Sequence, residues 1–409
     1  MSIISLGYET ESEDKPTGLF SSLFEFDTGY APESDPEFSR QFKYTPKGKP
    51  MSSLAERLMK KTSLSDASVM SKSTFFGAKE TILTDVPVIN LALSGYLDQG
   101  FGAGLTVLAG PSKHFKSALG LLMCAAYQKK YQDSIILFYD SEFGSSAEYF
   151  AAAGVDTERV IHIPIRNIEE LKFDIMQKLE EIGKSDKVCI FIDSIGNLAS
   201  KKEVEDALSE KSVADMTRAK QLKSLFRMVT PHLTISGIPM IAINHVYEEI
   251  GMFPKTIVGG GTGIMYSAQT VFIIGRRQVK NEGESQIQGW EFVLNIEKSR
   301  CIREKSAIPF TVTYEGGIEK YSGLLEIARV AGFVVSEKKG WYTRPSVQSD
   351  RNWRRKETMS EDFWGPLLED PAFNEAIHNM YKLGSPSKLT DELIEVLVES
   401  TVDDSGEIE

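Results

Sequence analysis

Residues Gly110-Pro111-Ser112-Lys113-His114-Phe115-Lys116-Ser117 place a tight turn, a lysine and a hydroxyl at the mouth of a helix. The apolar run Gly104–Ala109 before them reads as a buried strand stopped by Gly-Pro. After them, Leu119, Leu122, Met123 and Ala126 recur at helical spacing. Strand, loop, Lys-Ser and helix are the layout of a phosphate-binding loop. Backbone N–H groups at the helix N-terminus face an anion, Lys116 reaches the terminal phosphates, and the Ser117 hydroxyl ligates Mg²⁺. One position departs from the pattern. Phe115 stands where the motif has glycine, a residue favoured there because the loop curls tightly, sometimes at positive φ, where a Phe is strained. An ordinary strand-turn-helix that begins with Lys-Ser reads the same locally, so residues elsewhere must decide.

Three such residues are present. Val188–Asp193 is an apolar strand ending in a carboxylate, the form in which an acid helps to hold Mg²⁺, usually through water. Glu142 follows another apolar strand, where open α/β sheets bind ligands, and a carboxylate there can orient the water that attacks a γ-phosphate. A solvated loop acid is the plainer alternative. Asn244-His245 closes a further strand; a neutral His can sense a phosphate by hydrogen bond, although a structural His is the commoner case. The stretch Val246–Val258 then carries Ile250, Met252, Phe253 and Lys255 and runs into Gly259-Gly260-Gly261. A loop that long inside a compact domain is usually functional or disordered.

The elements that must position these residues alternate. Apolar strands are expected at 134–140, 160–165, 187–193, 238–244 and 269–275. Amphipathic helices are expected at 147–153, 168–182 and 213–230. This is an α/β pattern, a mostly parallel sheet between two helical layers. Residues 79–99 read as a strand and turn. Beyond Trp290 the reading is smaller strands, a helix at 324–330, a polar and basic boundary near 345–358, and short helices over 361–384.

The ends differ from the body. The net charge is −12 over 409 residues, but residues 1–50 carry −4 and residues 385–409 carry −7. The body is therefore near neutral and leaves room for a basic face, so nucleic acid is not excluded. Residues 1–50 read as a disordered acidic extension, and 385–409 as an acidic tail that either competes with polyanions or only solubilises the chain. Ser53-Leu54-Ala55-Glu56 is a capping-box pattern, which makes Met51 a candidate start of a shorter product. The three cysteines, Cys124, Cys189 and Cys301, lie far apart without a metal-type spacing; Cys124 and Cys189 sit inside apolar runs, which points to core packing and a reducing compartment. With no long apolar run, the chain is expected to be cytoplasmic, in the host cytoplasm if phage-encoded, and to have no membrane partner.

Taken together, these residues resemble the RecA family of DNA strand-exchange recombinases, most closely its UvsX-type branch from T-even-like phages, over about residues 51–383. The motifs that carry the resemblance are Gly110–Ser117, with Phe before Lys, Asp140-Ser141-Glu142-Phe143-Gly144, Ile192-Asp193-Ser194, Ile243-Asn244-His245, Val258–Gly263 and Glu297-Lys298-Ser299-Arg300. The general family has Gln where His245 stands.

The resemblance implies a P-loop ATPase core over 79–345 that binds ATP and Mg²⁺. It follows an N-terminal protomer-docking helix and linker over 51–78, and a small C-terminal helical region covers 346–384. Lys116 and Ser117 would hold phosphate and metal with Asp193, and Glu142 would be the catalytic carboxylate. Tyr149 would stack on adenine. His245 would couple the γ-phosphate to the loop after it, and Lys298 and Arg300 would reach the neighbouring protomer's ATP. DNA would meet Lys201, Lys202, Arg218, Ile250, Met252, Phe253, Lys255 and Gly259–Gly261. A solvated charge run is the alternative for Lys201 and Lys202. The implied activity is DNA-dependent ATP hydrolysis coupled to homologous pairing and strand exchange, in recombination, repair and recombination-dependent replication. Implied partners are single- and double-stranded DNA, further copies in a helical filament, a loader or mediator, and single-strand-binding proteins. A ring-shaped helicase or motor on the same core, and an ATP-gated mediator, stay open.

Overall fold

The computed structural model describes residues 53–64, 67–73, 80–209, 217–249, 255–280, 287–314, 317–348 and 350–383. The 1–50 extension, the 385–409 tail and the expected DNA contacts Ile250, Met252 and Phe253 lie outside these residues.

The chain divides into two units, residues 1–73 and 74–409. In the first, helix α1 (Ser53–Lys61) has Glu56 in its first turn and Lys60 and Lys61 in its last, charges that complement the helix dipole. Its Leu54 and Leu58, one turn apart, are both exposed.

The second unit begins its described elements with α2 (Pro87–Ser94), β1 (Gly104–Ala109), α3 (Lys116–Lys130), β2 (Ile135–Asp140), α4 (Ala147–Ala152), β3 (Val160–Pro164) and α5 (Ile168–Glu181). It continues with β4 (Val188–Asp193), α6 (Lys201–Leu208), α7 (Thr217–Ser236), β5 (Pro239–Asn244), β6 (Val246–Glu248), β7 (Thr256–Val258), α8 (Thr262–Ser267), β8 (Thr270–Lys280) and β9 (Ile287–Ser299). Last come β10 (Ala307–Thr313), β11 (Gly317–Ile318), α9 (Leu324–Val330), β12 (Val335–Lys338), β13 (Trp341–Thr343), β14 (Trp353–Arg354), α10 (Glu361–Leu368) and α11 (Pro371–Tyr381).

The large sheet runs β11-β10-β9-β8-β1-β5-β4-β2-β3. From β8 to β3 every pair is parallel, and β8, β9, β10 and β11 pair antiparallel. The parallel strands are apolar on both faces because helices cover both. In β4, Cys189 and Phe191 face one apolar cluster with α3, while Ile190 and Ile192 face a second cluster with α5 and α7. A Cβ on Gly120 of α3 would lie 2.5 Å from the Phe191 ring, so that glycine lets the helix sit close on the sheet. The α/β reading therefore stands, with a mostly parallel sheet between helices.

Several local readings change. Residues 87–94, read as a strand, form α2, buried from Pro87 to Leu93. A short apolar run gives no period to separate strand from buried helix, but Pro87 starts the helix and Gly95, at φ 84, ends it. Helix α7 passes Pro231 and continues to Ser236, because its apolar stripe reaches Leu233 and proline removes only its own donor. Strands β12, β13 and β14 form a small sheet that spans residue 345, where composition suggested a boundary.

Candidate active site

Strand register brings the chemical residues to one edge. Ala109 lies opposite Asn244 in the β1–β5 pair, and Asp140 lies opposite Asp193 in β2–β4. The phosphate-type loop, Glu142, Asp193 and His245 therefore all leave the carboxyl ends of adjacent parallel strands, where this class of sheet binds ligands.

The loop turns from β1 into α3 through two left-handed residues, Lys113 at φ 62 and Phe115 at φ 59. Phe115 thus adopts the conformation for which glycine is usual. It is held there by its ring, which packs on Phe292 of β9 (centroids 5.1 Å) and Phe310 of β10 (6.0 Å). Gly110 is buried, whereas Pro111, Ser112 and Lys113 are exposed. The His114 ring nitrogen Nδ1 lies 2.9 Å from the Ser112 carbonyl, and burial lowers the His114 pKa. Arg276 of β8 donates to the Lys113 carbonyl at 2.9 Å and lies 4.3 Å over the Trp290 ring, bracing the loop from outside.

Lys116 is buried, and its Nζ donates to the Pro111 carbonyl at 2.7 Å. Burial lowers its pKa, against the attraction of Glu142 and Asp193. Asp193 is also buried. Its carboxyl is pushed up to about 6 by that burial, opposed by a hydrogen bond with Ser117 and reinforced by the charges of Glu142 and Asp140. Among the described residues its Oδ1 has no hydrogen-bond partner. A buried carboxylate oxygen without a partner, beside a hydroxyl and a lysine, fits a hydrated Mg²⁺. No cluster of three His, Cys, Asp or Glu ligands occurs among the described residues.

Glu142 is aimed by the turn after β2. Buried Asp140 accepts from the backbone N–H groups of Glu142 (3.0 Å) and Phe143 (2.8 Å), and it also meets His162 Nε2 at 3.1 Å. The Ser141 hydroxyl donates to the Ser194 carbonyl at 2.7 Å and ties this turn to the end of β4. Glu142 Oε1 accepts from His245 Nε2 at 3.0 Å and from the Ser194 hydroxyl at 2.6 Å. These partners, His245 first, lower its pKa despite partial burial. Next to His245, fully buried Asn244 accepts from the His245 N–H (2.9 Å) and donates to the Gly259 carbonyl (2.7 Å), and the Gly259 N–H donates to the His245 carbonyl at 2.9 Å. The ring on Glu142 is thereby joined to the foot of the β6–β7 hairpin, whose strands pair Val246 with Val258. Asp140 and Ser194 stand inside the motifs but were given no role there, and Arg276 lies outside them, since an acid or serine at a strand end and an arginine in a strand carry no pattern of their own.

The remaining candidates are placed as follows. Tyr149, in α4, is 42% exposed. Lys298 caps the last turn of α8, donating to the carbonyls of Met265, Ala268 (2.8 Å) and Tyr266 (3.3 Å), while Arg300 is exposed past the end of β9. Lys201 and Lys202 are exposed on the first turn of α6, behind a Ser200–Glu203 capping box, and Lys255 is exposed at the start of β7. Gly260 and Gly261 have φ of 90 and 74 and lead into α8. The Arg218 guanidinium turns inward, its Nε donating to the carbonyl of Leu198 (2.7 Å) and its Nη2 to those of Gly196 (2.8 Å) and Ile195 (3.1 Å).

Comparison with known proteins identifies the family. A family model for the RecA N-terminal domain matches residues 71–319, and one described as the C-terminal domain of the bacteriophage T4 recombination and repair protein matches residues 321–377. The recombination and repair protein of Enterobacteria phage T4 is 48% identical over 365 residues, covering 87% of this chain and 92% of that protein. The RecA protein of Bifidobacterium breve is 27% identical over 341 residues, 79% of this chain and 81% of its own. That of Mesoplasma florum is 28% identical over 263 residues, 60% of this chain and 74% of its own. By the extent of the domain match and the near-complete alignment with the phage protein, this chain belongs to the RecA family.

Proposed function

We propose that the chain is an ATP-dependent DNA recombinase that polymerises on single-stranded DNA and hydrolyses ATP while it pairs and exchanges strands. The observation that carries the nucleotide assignment is buried Asp193, bonded to Ser117, with Oδ1 unpartnered and Lys116 beside it.

In this reading the loop N–H groups and Lys116 hold the β- and γ-phosphates, with Lys116 exchanging the Pro111 carbonyl for phosphate. Ser117 and Asp193 hold Mg²⁺, which neutralises charge on the phosphates. Glu142, kept ionised by its partners, orients the attacking water and takes up its proton. His245 stands between Glu142 and the loop that follows it, so occupancy of the phosphate site is felt at the β6–β7 hairpin through Asn244 and Gly259. Tyr149 offers an exposed ring for a base to stack on.

Lys298 and Arg300 act in trans on the next protomer's nucleotide, with Lys298 releasing the α8 carbonyls to do so. Cations supplied by a neighbour make hydrolysis depend on assembly. The exposed Leu54 and Leu58 of α1 suit it to docking on an adjacent copy. Lys201, Lys202 and Lys255 neutralise DNA phosphates, and the Gly259–Gly261 backbone allows close approach. Among the described residues no helix is long and apolar enough to cross a membrane.

Electron microscopy of the protein with single-stranded DNA and a slowly hydrolysed ATP analogue tests this reading. Helical filaments on the DNA are expected; closed rings would favour a motor, and bare DNA would contradict polymerisation.

A further inference from the structure

Two observations converge behind the His245 ring. A Cβ built on Gly196 would stand 2.2 Å from Cδ2 and 2.9 Å from Cγ of that ring, closer than side-chain atoms can come. Gly196 is not among the glycines with positive φ, so the backbone does not demand a glycine there. Only the space does. The same segment is also pinned from below, since Arg218 at the start of α7 donates to the carbonyls of Ile195, Gly196 and Leu198. The ring that rests on this floor is the one whose Nε2 lies 3.0 Å from Glu142 Oε1 and 3.5 Å from the Ser194 hydroxyl.

We infer that Gly196 and Arg218 are positioning residues for His245: Gly196 leaves room for the ring, and Arg218 fixes the floor on which it lies. A side chain at 196 would push the imidazole off Glu142 without touching the phosphate loop. Loss of the Arg218 guanidinium would let the floor move, with the same consequence for Glu142 and no loss of a DNA contact. The inference rests on the reading of Glu142 as the water-orienting carboxylate. It gives the end of β4 and the start of α7 a shared role in aiming the site, through a guanidinium that serves the fold rather than DNA.

The test is a double-mutant cycle in the full-length protein, read as single-stranded-DNA-stimulated ATP hydrolysis for Gly196→Ala, His245→Ala and the pair. Gly196→Ala should lower kcat about 10- to 100-fold, with KM for ATP near the wild-type value, as expected for a misplaced group outside the binding contacts. In the His245→Ala background the same change should have a much smaller further effect, because the clashing ring is gone and only the backbone nitrogen of residue 245, 3.1 Å from the added Cβ, remains close. Losses that simply add would overturn the assignment of Gly196. Where Gly196→Ala lowers the thermal midpoint, His245→Ala should restore it, and failure to do so counts equally against the inference. Arg218→Gln should lower kcat yet leave the slope of log affinity against log salt for single-stranded DNA unchanged. A slope smaller by about 0.7 would mark Arg218 as a phosphate contact and overturn its part. Glu142→Gln runs alongside: wild-type hydrolysis there would remove the underlying reading, whatever the cycle shows.

Discussion

His245 Nε2 donates to Glu142 Oε1 at 3.0 Å, and the Ser194 hydroxyl donates to the same oxygen at 2.6 Å. Two residues 103 positions apart are thereby held in one cluster at the ends of β2 and β5, and Asn244 extends it to the foot of the following hairpin. Glu142 is thus tied through His245 and Asn244 to the foot of the β6–β7 hairpin.

Glu142→Gln should bind ATP and DNA and still form filaments, but hydrolyse on the order of 10²- to 10⁴-fold more slowly, since only the general base is lost. Lys298→Ala with Arg300→Ala should also fail in hydrolysis, for want of the cations supplied in trans. Mixing the two proteins should recover part of the activity, because some interfaces then combine an intact Glu142 with an intact Lys298 and Arg300. Hydrolysis assayed across mixing ratios decides it, and no recovery at any ratio would argue against sites shared between protomers.

Phe115→Gly sets two effects against each other. Glycine relieves a left-handed φ of 59, which costs a side-chain-bearing residue about 1–2 kcal/mol. It also removes a half-buried ring packed on Phe292 and Phe310, a loss of up to about 3 kcal/mol. The balance is a modest net destabilisation, about 1 kcal/mol, with nucleotide binding retained, to be read from thermal unfolding and ATP titration. Loss of ATP binding in a folded variant would show that the ring shapes the pocket itself.

Asp193 makes stability depend on pH. Its carboxyl titrates near 6 in the folded protein, against an ordinary value of 3.8. Between these values the folded state holds a proton that the unfolded state has released, so stability falls as pH rises through about 6. The destabilisation is complete above that pH and absent below the unfolded value, at most about 3 kcal/mol. Asp193→Asn should therefore raise the unfolding midpoint of the nucleotide-free protein at pH 8. The gain should shrink from pH 6 towards pH 4, while Mg²⁺-dependent ATP binding is lost at every pH. A gain constant across that range would mean that burial of the charge is not its source.

Much of this site was legible in the sequence because its elements obey strong local rules. Apolar strands such as Val188–Asp193, buried on both faces, announce a parallel sheet, and residues just past such strands must gather at one edge. The glycine-depleted loop was legible too, although not why Phe115 is tolerated: the answer is an aromatic contact with β9 and β10, nearly 200 residues away. Helix α2 was misread because six apolar residues in a stretch of eight have no usable period. The inward bonds of Arg218 were not legible, because a charged side chain near a candidate DNA loop reads only as a contact, whereas the carbonyls that it meets belong to a segment about twenty residues earlier. Sequence pattern reports which residues are near a strand end. It does not report which donors are already taken.

The most direct measurement is single-stranded-DNA-stimulated ATP hydrolysis, with joint-molecule formation, for the full-length protein and for Lys116→Ala. Lys116 is the buried lysine that leads α3 from the phosphate-type loop, with its Nζ on a loop carbonyl that phosphate would replace. The wild-type protein should hydrolyse ATP when single-stranded DNA is present and form joint molecules. Lys116→Ala should do neither while remaining folded by circular dichroism. Normal DNA-stimulated hydrolysis in that variant would contradict the nucleotide site, and with it the function built on it.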